Sequence, residues 1–206
     1  MWTIRPFESR DVDALYAISL ATGHLGDDAA RLYKDPKLMG HLYAGAYAAL
    51  EPGLVLVLSD GNGVAGFAVG VLDTVTWERR LQREWWPQLR QHYPNPSATP
   101  QVEWTPDERR AHLIHHPRET PLEVAHGFAA HLHMNLLPRA QGIGQGTQLL
   151  DRWLRLSKSL GGRAVHVGAN RGNHRAVAFW RRRGFEPLLE QNSTAWLGRQ
   201  MDLFAP

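Results

Sequence analysis

Residues 138–150, Pro-Arg-Ala-Gln-Gly-Ile-Gly-Gln-Gly-Thr-Gln-Leu-Leu, constrain the fold more than any other part of the chain. An apolar run (129–137) enters the stretch. Leu149, Leu150, Trp153, Leu154 and Leu156 leave it at helical spacing. Gly142, Gly144 and Gly146 stand at the junction, where the absence of Cβ lets backbone amides converge and a ligand approach closely. The helix that follows adds unpaired N–H groups and a positive dipole end. A strand, a glycine turn and a helix start together form an anion site suited to a phosphate or pyrophosphate. A Rossmann turn needs Gly-x-Gly-x-x-Gly early in a βαβ unit, and a Walker loop needs Gly-Lys-Ser/Thr. The spacing and position here match neither.

The stretch does match the acyl-CoA loop pattern Gln/Arg-x-x-Gly-x-Gly/Ala. One frame starts at Arg139 and another at Gln141. The Gln141 frame explains more residues, because Pro138 and the Leu149-Leu150 pair fall where the pattern expects a proline and two aliphatics. A second block, 163–185, reads as a strand, a helix from Asn173 and a Gly184-Phe185 stop. It carries Asn173, Ala176 and Trp180, the last where a tyrosine is usual. On these two blocks the chain resembles the GNAT N-acetyltransferases. The segments HLHMNLLP and TGHLGDDAARLYKDP further resemble the acetyltransferase-like domain at the C-terminus of O-GlcNAcases and its free-standing bacterial relatives.

The resemblance implies an α+β fold with a central mixed, mostly antiparallel sheet of about seven strands flanked by helices. It implies acetyl-CoA as donor and an amine acceptor, either a small molecule or a peptide lysine. Met134, Asn135 and Leu136 would pair with the pantetheine arm. Gln141, Gly142, Ile143, Gly144, Gln145, Gly146 and Thr147 would hold the pyrophosphate, and Asn173 would reach the pantetheine or the loop. His24, Asp27, Asp28 and Tyr33 fall in the region that lines the acceptor cleft in such folds.

The length of 206 residues suits one domain, 1–206, and the chain has no cysteine, which excludes disulfides and thiolate chemistry. The net charge is only +3, and the one tight basic run, Arg181-Arg182-Arg183, falls on a helix end where cations oppose the dipole. No broad basic face with interleaved aromatics is present, so a nucleic-acid partner is not expected. No apolar run is long enough to span a bilayer and the N-terminus lacks a signal-peptide pattern, which points to a cytoplasmic protein. The oligomeric state stays open.

Along the chain, strands are expected at 2–6, 54–58, 64–72, 129–137, 164–167, 186–190 and 194–204. Helices are expected at 11–21, 28–33, 37–50, 76–93, 105–115, across 149–156 after the glycine loop, and at 173–183. Asp60-Gly61-Asn62-Gly63 is a hairpin turn and Thr105-Pro106-Asp107-Glu108 a capping box. Residues 76–121 form a helical insert between the third and fourth strands. Trp77, Trp85, Trp86 and Trp104 are expected to pack it onto the core, the alternatives being an acceptor wall or a dimer contact.

Acetyl transfer to an amine needs a positioned thioester, a base for the amine and an acid for the leaving thiolate. Asp73, at the end of the third strand, is the first candidate for the base. His133 is the second, sharing one strand face with His131 and Asn135; His131 and His24 are further candidates. The acid is the difficulty. A tyrosine hydroxyl has a free pKa of about 10, whereas the Trp180 indole N–H donates a hydrogen bond but does not release its proton. Trp180 can stabilise or stack on the cofactor. The alternative reading is therefore a catalytically inactive acyl-CoA-binding protein with a recognition role. His131 and His133, even with His115 and His116, lack the carboxylate that would favour a metal site, and no metal is expected.

Overall fold

The computed structural model describes residues 1–201, and its seven strands form one open mixed sheet in the order β1-β2-β3-β4-β5-β7-β6. The chain runs through β1 (Thr3–Pro6), α1 (Val12–Ala21), α2 (Leu38–Tyr43), α3 (Gly45–Leu50), β2 (Leu56–Asp60) and β3 (Gly63–Val71). Helices α4 (Thr74–Glu84), α5 (Trp86–His92), α6 (Pro106–His115) and α7 (Leu122–Gly127) fill the connection to β4 (Ala130–Leu136). Then follow α8 (Gln145–Ser159), β5 (Ala164–Asn170), α9 (His174–Arg182), β6 (Glu186–Gln191) and β7 (Thr194–Gln200). The α+β fold expected from the sequence is the one observed.

All neighbouring strands are antiparallel except β4 and β5. The β2–β3 hairpin turns where the sequence expects, with Gly63 at φ +103° and the Asn62 amide donating to Asp60 Oδ1 at 2.8 Å. Period-two alternation sends Val57, Phe67 and Val69 into a core beneath α1–α6. Leu56, Leu58, Ala68 and Leu132 enter a second core beneath α8 and α9. Gly70 is required where α8 crosses the sheet: a Cβ there would overlap the His131 carbonyl and the Trp153 ring. Trp153 is fully buried and donates Nε1 to the Leu54 carbonyl at 2.9 Å.

Local structure departs from the expectations at five places. Residues 28–33 form turns rather than a helix. Asp28 accepts from the Ala30 amide at 2.9 Å, a local bond that competes with helix formation. The helix expected at 37–50 breaks at Ala44 (φ −139°), and the one at 76–93 breaks at Trp85 just before Pro87. The short helix α7 was not anticipated, since six residues carry too little periodicity to read. The last strand ends at Gln200, and residues 202–204 of the expected strand lie outside the described residues.

Three of the insert's four tryptophans pack it onto the core, while Trp104 bonds Thr99 and lies against His112 within the insert. Trp77, Trp85 and Trp86 join the first core, and Trp85 donates to the His41 carbonyl at 3.0 Å. Among the described residues no helix is long and apolar enough to cross a membrane.

Candidate functional site

The central geometric feature is a fork between the two parallel strands. β3 follows β4 over six residue pairs, from Gly66↔Leu136 to Val71↔His131. β5 follows it for only two, Ala130↔Val165 and His131↔His166. From Leu132 to Leu136 the edge of β4 that faces β5 therefore has no ladder partner. Buried backbone groups need partners, so this edge can take an extended ligand as an added strand.

A cavity of about 440 Å³ opens at the far end of the fork. Met134, Asn135 and Leu136 line one side, the glycine loop another, and Asn173, Phe179 and Trp180 of the α9 region a third. The loop is shaped as its sequence demands. Gly142 and Gly144 have φ of +73° and +84°, in the left-handed region, and a Cβ on either would meet open space rather than protein. No backbone acceptor takes the amides of Gly142 to Gly146 among the described residues; Thr147 is the first to bond back, to the Gly144 carbonyl at 3.1 Å. Gln141 closes the base of the loop by donating Nε2 to the Leu136 carbonyl at 2.7 Å. Arg175, Arg182 and Arg183 line the same cavity, adding cationic charge to the free amides and the α8 dipole. Two loop residues are turned from it: Ile143 is 55% exposed, and Gln145 is buried with its side-chain oxygen unpartnered.

A second cavity, about 680 Å³, lies on the other side of the fork between α1–α3, the insert and β4–β5. Thr22, Gly26, Asn135 and Asn173 line both, so the two chambers meet there. Asn135 donates to Thr22 Oγ1 at 2.6 Å, and Asn173 caps α9 by accepting from the Ala176 amide at 3.0 Å.

The strand face carrying His131, His133 and Asn135 points into this second chamber. His131 is locked. The Thr74 hydroxyl donates to the Ala129 carbonyl at 2.8 Å, so it accepts from His131 Nδ1–H, also at 2.8 Å; Nε2 then accepts the Tyr47 hydroxyl at 2.7 Å. Burial, with His133 and His166 nearby, holds its pKa well below the ordinary imidazole value. His133 is different. No protein group bonds its ring among the described residues, and burial together with the neighbouring His166 lowers its pKa to about 4. It is neutral at pH 7, with an available lone pair.

The other expected site residues are scattered. Asp73 is exposed, lines neither cavity and caps α4 by accepting from the Thr76 amide at 2.7 Å. Of the four acceptor-side residues only His24 lines the second chamber. Asp27 pairs with Arg175 at 2.6 Å, tying the loop after α1 to α9. Asp28 stays in its own turn, and Tyr33 is buried behind the chamber, where it accepts from Arg110 at 2.8 Å. Trp180 lies under the first cavity in an edge-to-face cluster with Phe179 and Phe185. Its Nε1 has no protein acceptor among the described residues and, unlike that of Trp196, is not sealed in. No group of three His, Asp or Glu side chains is placed to hold a metal among the described residues.

Sequence reasoning missed Glu78, Arg110, Tyr43 and Tyr47 as chamber walls. Glu78 directly follows Trp77 in α4, and burial raises its carboxyl above the usual range. Trp77 and Trp86 serve twice, as core residues and as wall. In sequence Glu78 is one charge beside a buried tryptophan in α4, and Arg110 is the last of four consecutive charged residues in α6, so neither stands out.

The sequence profile of the GNAT acetyltransferases matches residues 25–185, most of the chain. The chain belongs to the GNAT acetyltransferase family. Protein O-GlcNAcase from Rattus norvegicus is 27% identical over 100 residues, which is 48% of this GNAT chain but only 11% of that relative. The solved structure of SsHAT is 33% identical, with TM-score 0.90 and 98% of both chains covered. The phosphinothricin acetyltransferase from Sinorhizobium meliloti, solved in complex with AcCoA, shares the fold at 16% identity and TM-score 0.56, covering 97% of this chain and 88% of that one.

Proposed function

We propose that this GNAT chain transfers an acetyl group from acetyl-CoA to an amine that enters through the second chamber. The observation that carries the reading is the fork itself, which gives β4 a free edge beside a loop of unpartnered amides. A diphosphate suits amides 142–146, and the open space at Gly142 and Gly144 leaves room for its oxygens. Arg175, Arg182 and Arg183 would meet the remaining phosphate charge. The thioester supplies an activated acyl carbon; the amine nitrogen bonds to it as the carbon–sulfur bond breaks.

His133 takes the amine proton in this reading. It stands one same-face step, about 7 Å, along β4 from Asn135, where the chambers meet. Its low pKa keeps it unprotonated, and the nitrogen it serves becomes acidic as the C–N bond forms. Asp73, capping α4 at the surface, is left out of the chemistry. Trp180 donates a hydrogen bond toward the sulfur, and water returns the proton.

Trp180 also favours a second reading, an acyl-CoA-binding protein without turnover, because the indole is no acid. Calorimetry with acetyl-CoA followed by a thiol-release screen over amines separates the two. Binding with thiol release above background supports the transferase. Binding with no release from any amine leaves the second reading, and no binding overturns both.

A further inference from the structure

The second chamber contains a cation, Arg110, that no carboxylate neutralises among the described residues. Arg110 is half-buried in α6 and lines the chamber. Its Nε donates to the Tyr33 hydroxyl at 2.8 Å and its Nη1 to the Tyr43 hydroxyl at 3.0 Å. The guanidinium carbon sits 5.9 and 6.0 Å from the two ring centroids. Nη2 has no acceptor and no carboxylate pairs with the group among the described residues. A partly desolvated guanidinium is ordinarily matched by a carboxylate or phosphate, since the lost hydration is otherwise uncompensated. Here two phenols, weak neutral acceptors, fix the fork in place while leaving an edge of N–H donors unoccupied. That is the preorganisation an anion-binding group needs.

The same chamber holds a carboxylate in the complementary situation. Glu78 accepts the Thr120 amide at 2.9 Å and has no cationic partner among the described residues. The two opposite charges line one chamber without pairing with each other, and the tyrosine contacts hold Arg110 in that arrangement. Leu81, Trp86 and Leu113 add apolar and aromatic wall to the chamber, and its other charged lining, Arg118 and Glu119, is exposed.

Given the acetyltransferase reading above, on which this rests, we infer that the acceptor carries a carboxylate as well as its amine, and that Arg110 seats that carboxylate. The substrate class is then an amino acid or a short peptide with an apolar body, rather than a simple alkylamine. Glu78 gives the entering ammonium a matching charge, and the ammonium loses one proton to water before its nitrogen attacks.

Two measurements test this, one of them independent of turnover. Calorimetry on the full chain, with and without CoA, compares N-acetylleucine with N-acetylleucinamide, which differ only in the anionic group. The carboxylate is expected to bind about 10-fold or more tightly, the scale of a charge-assisted contact. Arg110→Gln should level the two. Arg110→Lys, which keeps the charge and loses the fork, should retain only part of the preference, and it replaces the glutamine variant if that fails to fold. Equal affinity of the two probes for the wild type, no binding of either, or a preference that survives loss of the guanidinium each overturns the assignment. Thiol release then compares leucine, Gly-Leu and isopentylamine. Preference for either carboxylate-bearing acceptor supports the class and tells a free amino acid from a peptide; preference for isopentylamine overturns it. A carboxylate preference in binding with no thiol release from any acceptor refutes the transferase reading and leaves the Arg110 site standing.

Discussion

Acidification should destabilise this protein through His133. The imidazole has an ordinary value of 6.5 and about 4 in the folded chain. Between those values the unfolded state binds a proton that the folded state does not. Stability is therefore complete above about pH 6.5 and falls as pH drops toward 4. Taken over the interval from pH 7 to pH 5, the two titration curves give a loss of about 2 kcal/mol from this one residue. His131 and His166 are shifted the same way by burial and add to the loss. For a chain of this length an unfolding entropy of about 0.4 kcal/mol/K converts 2 kcal/mol into a Tm drop of about 5 °C. Thermal unfolding followed by circular dichroism at both pH values reads it, with His133→Gln as the control that removes this titration. The expected result is a Tm that falls by about 5 °C or more in the wild type and by distinctly less in the variant. A flat Tm, or an equal fall in both proteins, refutes the reasoning, because the ring would then be as accessible to protons folded as unfolded.

Three further outcomes follow from the site. Gly144→Asp should abolish acetyl-CoA binding by calorimetry, through repulsion and crowding of the amide cradle. It should cost only about 1–2 kcal/mol of stability for a side chain at φ +84°, and retained affinity would mean that the loop does not hold the donor. Trp180→Tyr, which supplies an ionisable hydroxyl beneath the first cavity, should raise kcat by about 10-fold, short of the roughly 100-fold of a fully positioned acid; an unchanged kcat in a folded variant would show that sulfur protonation does not limit the rate. Asp73→Ala should lower stability in urea by about 1 kcal/mol, the worth of an N-cap, and leave kcat alone. A large fall in kcat would return Asp73 to the chemistry.

The shape of the glycine loop was legible in the sequence because it is local. Backbone conformation at Gly142 and Gly144, the α8 start and the Asn173 cap are properties of a few consecutive residues, and glycine and asparagine announce them. Asp73 shows the limit of such reading. At a strand end followed by a helix, a carboxylate serves as a cap or as a base, and only its neighbours in space distinguish the two roles.

The walls of the second chamber came from tertiary structure. Tyr47 and His131 are 84 positions apart, and Tyr33 and Arg110 are 77 apart, yet each pair shares a hydrogen bond. No periodicity encodes such meetings. The same holds for the contrast within β4: His131 and His133 share a face, as alternation requires, but only the packing of Thr74 and Tyr47 locks the first and leaves the second free. By itself the sequence determined the order of strands and helices over most of the chain and the glycine turn ahead of α8, since both follow from short-range backbone preference and period-two burial. Only the tertiary structure decided where β4 and β5 part, which charges face the chamber between them and which of those charges lack a partner, because desolvation and pairing depend on what the fold brings together.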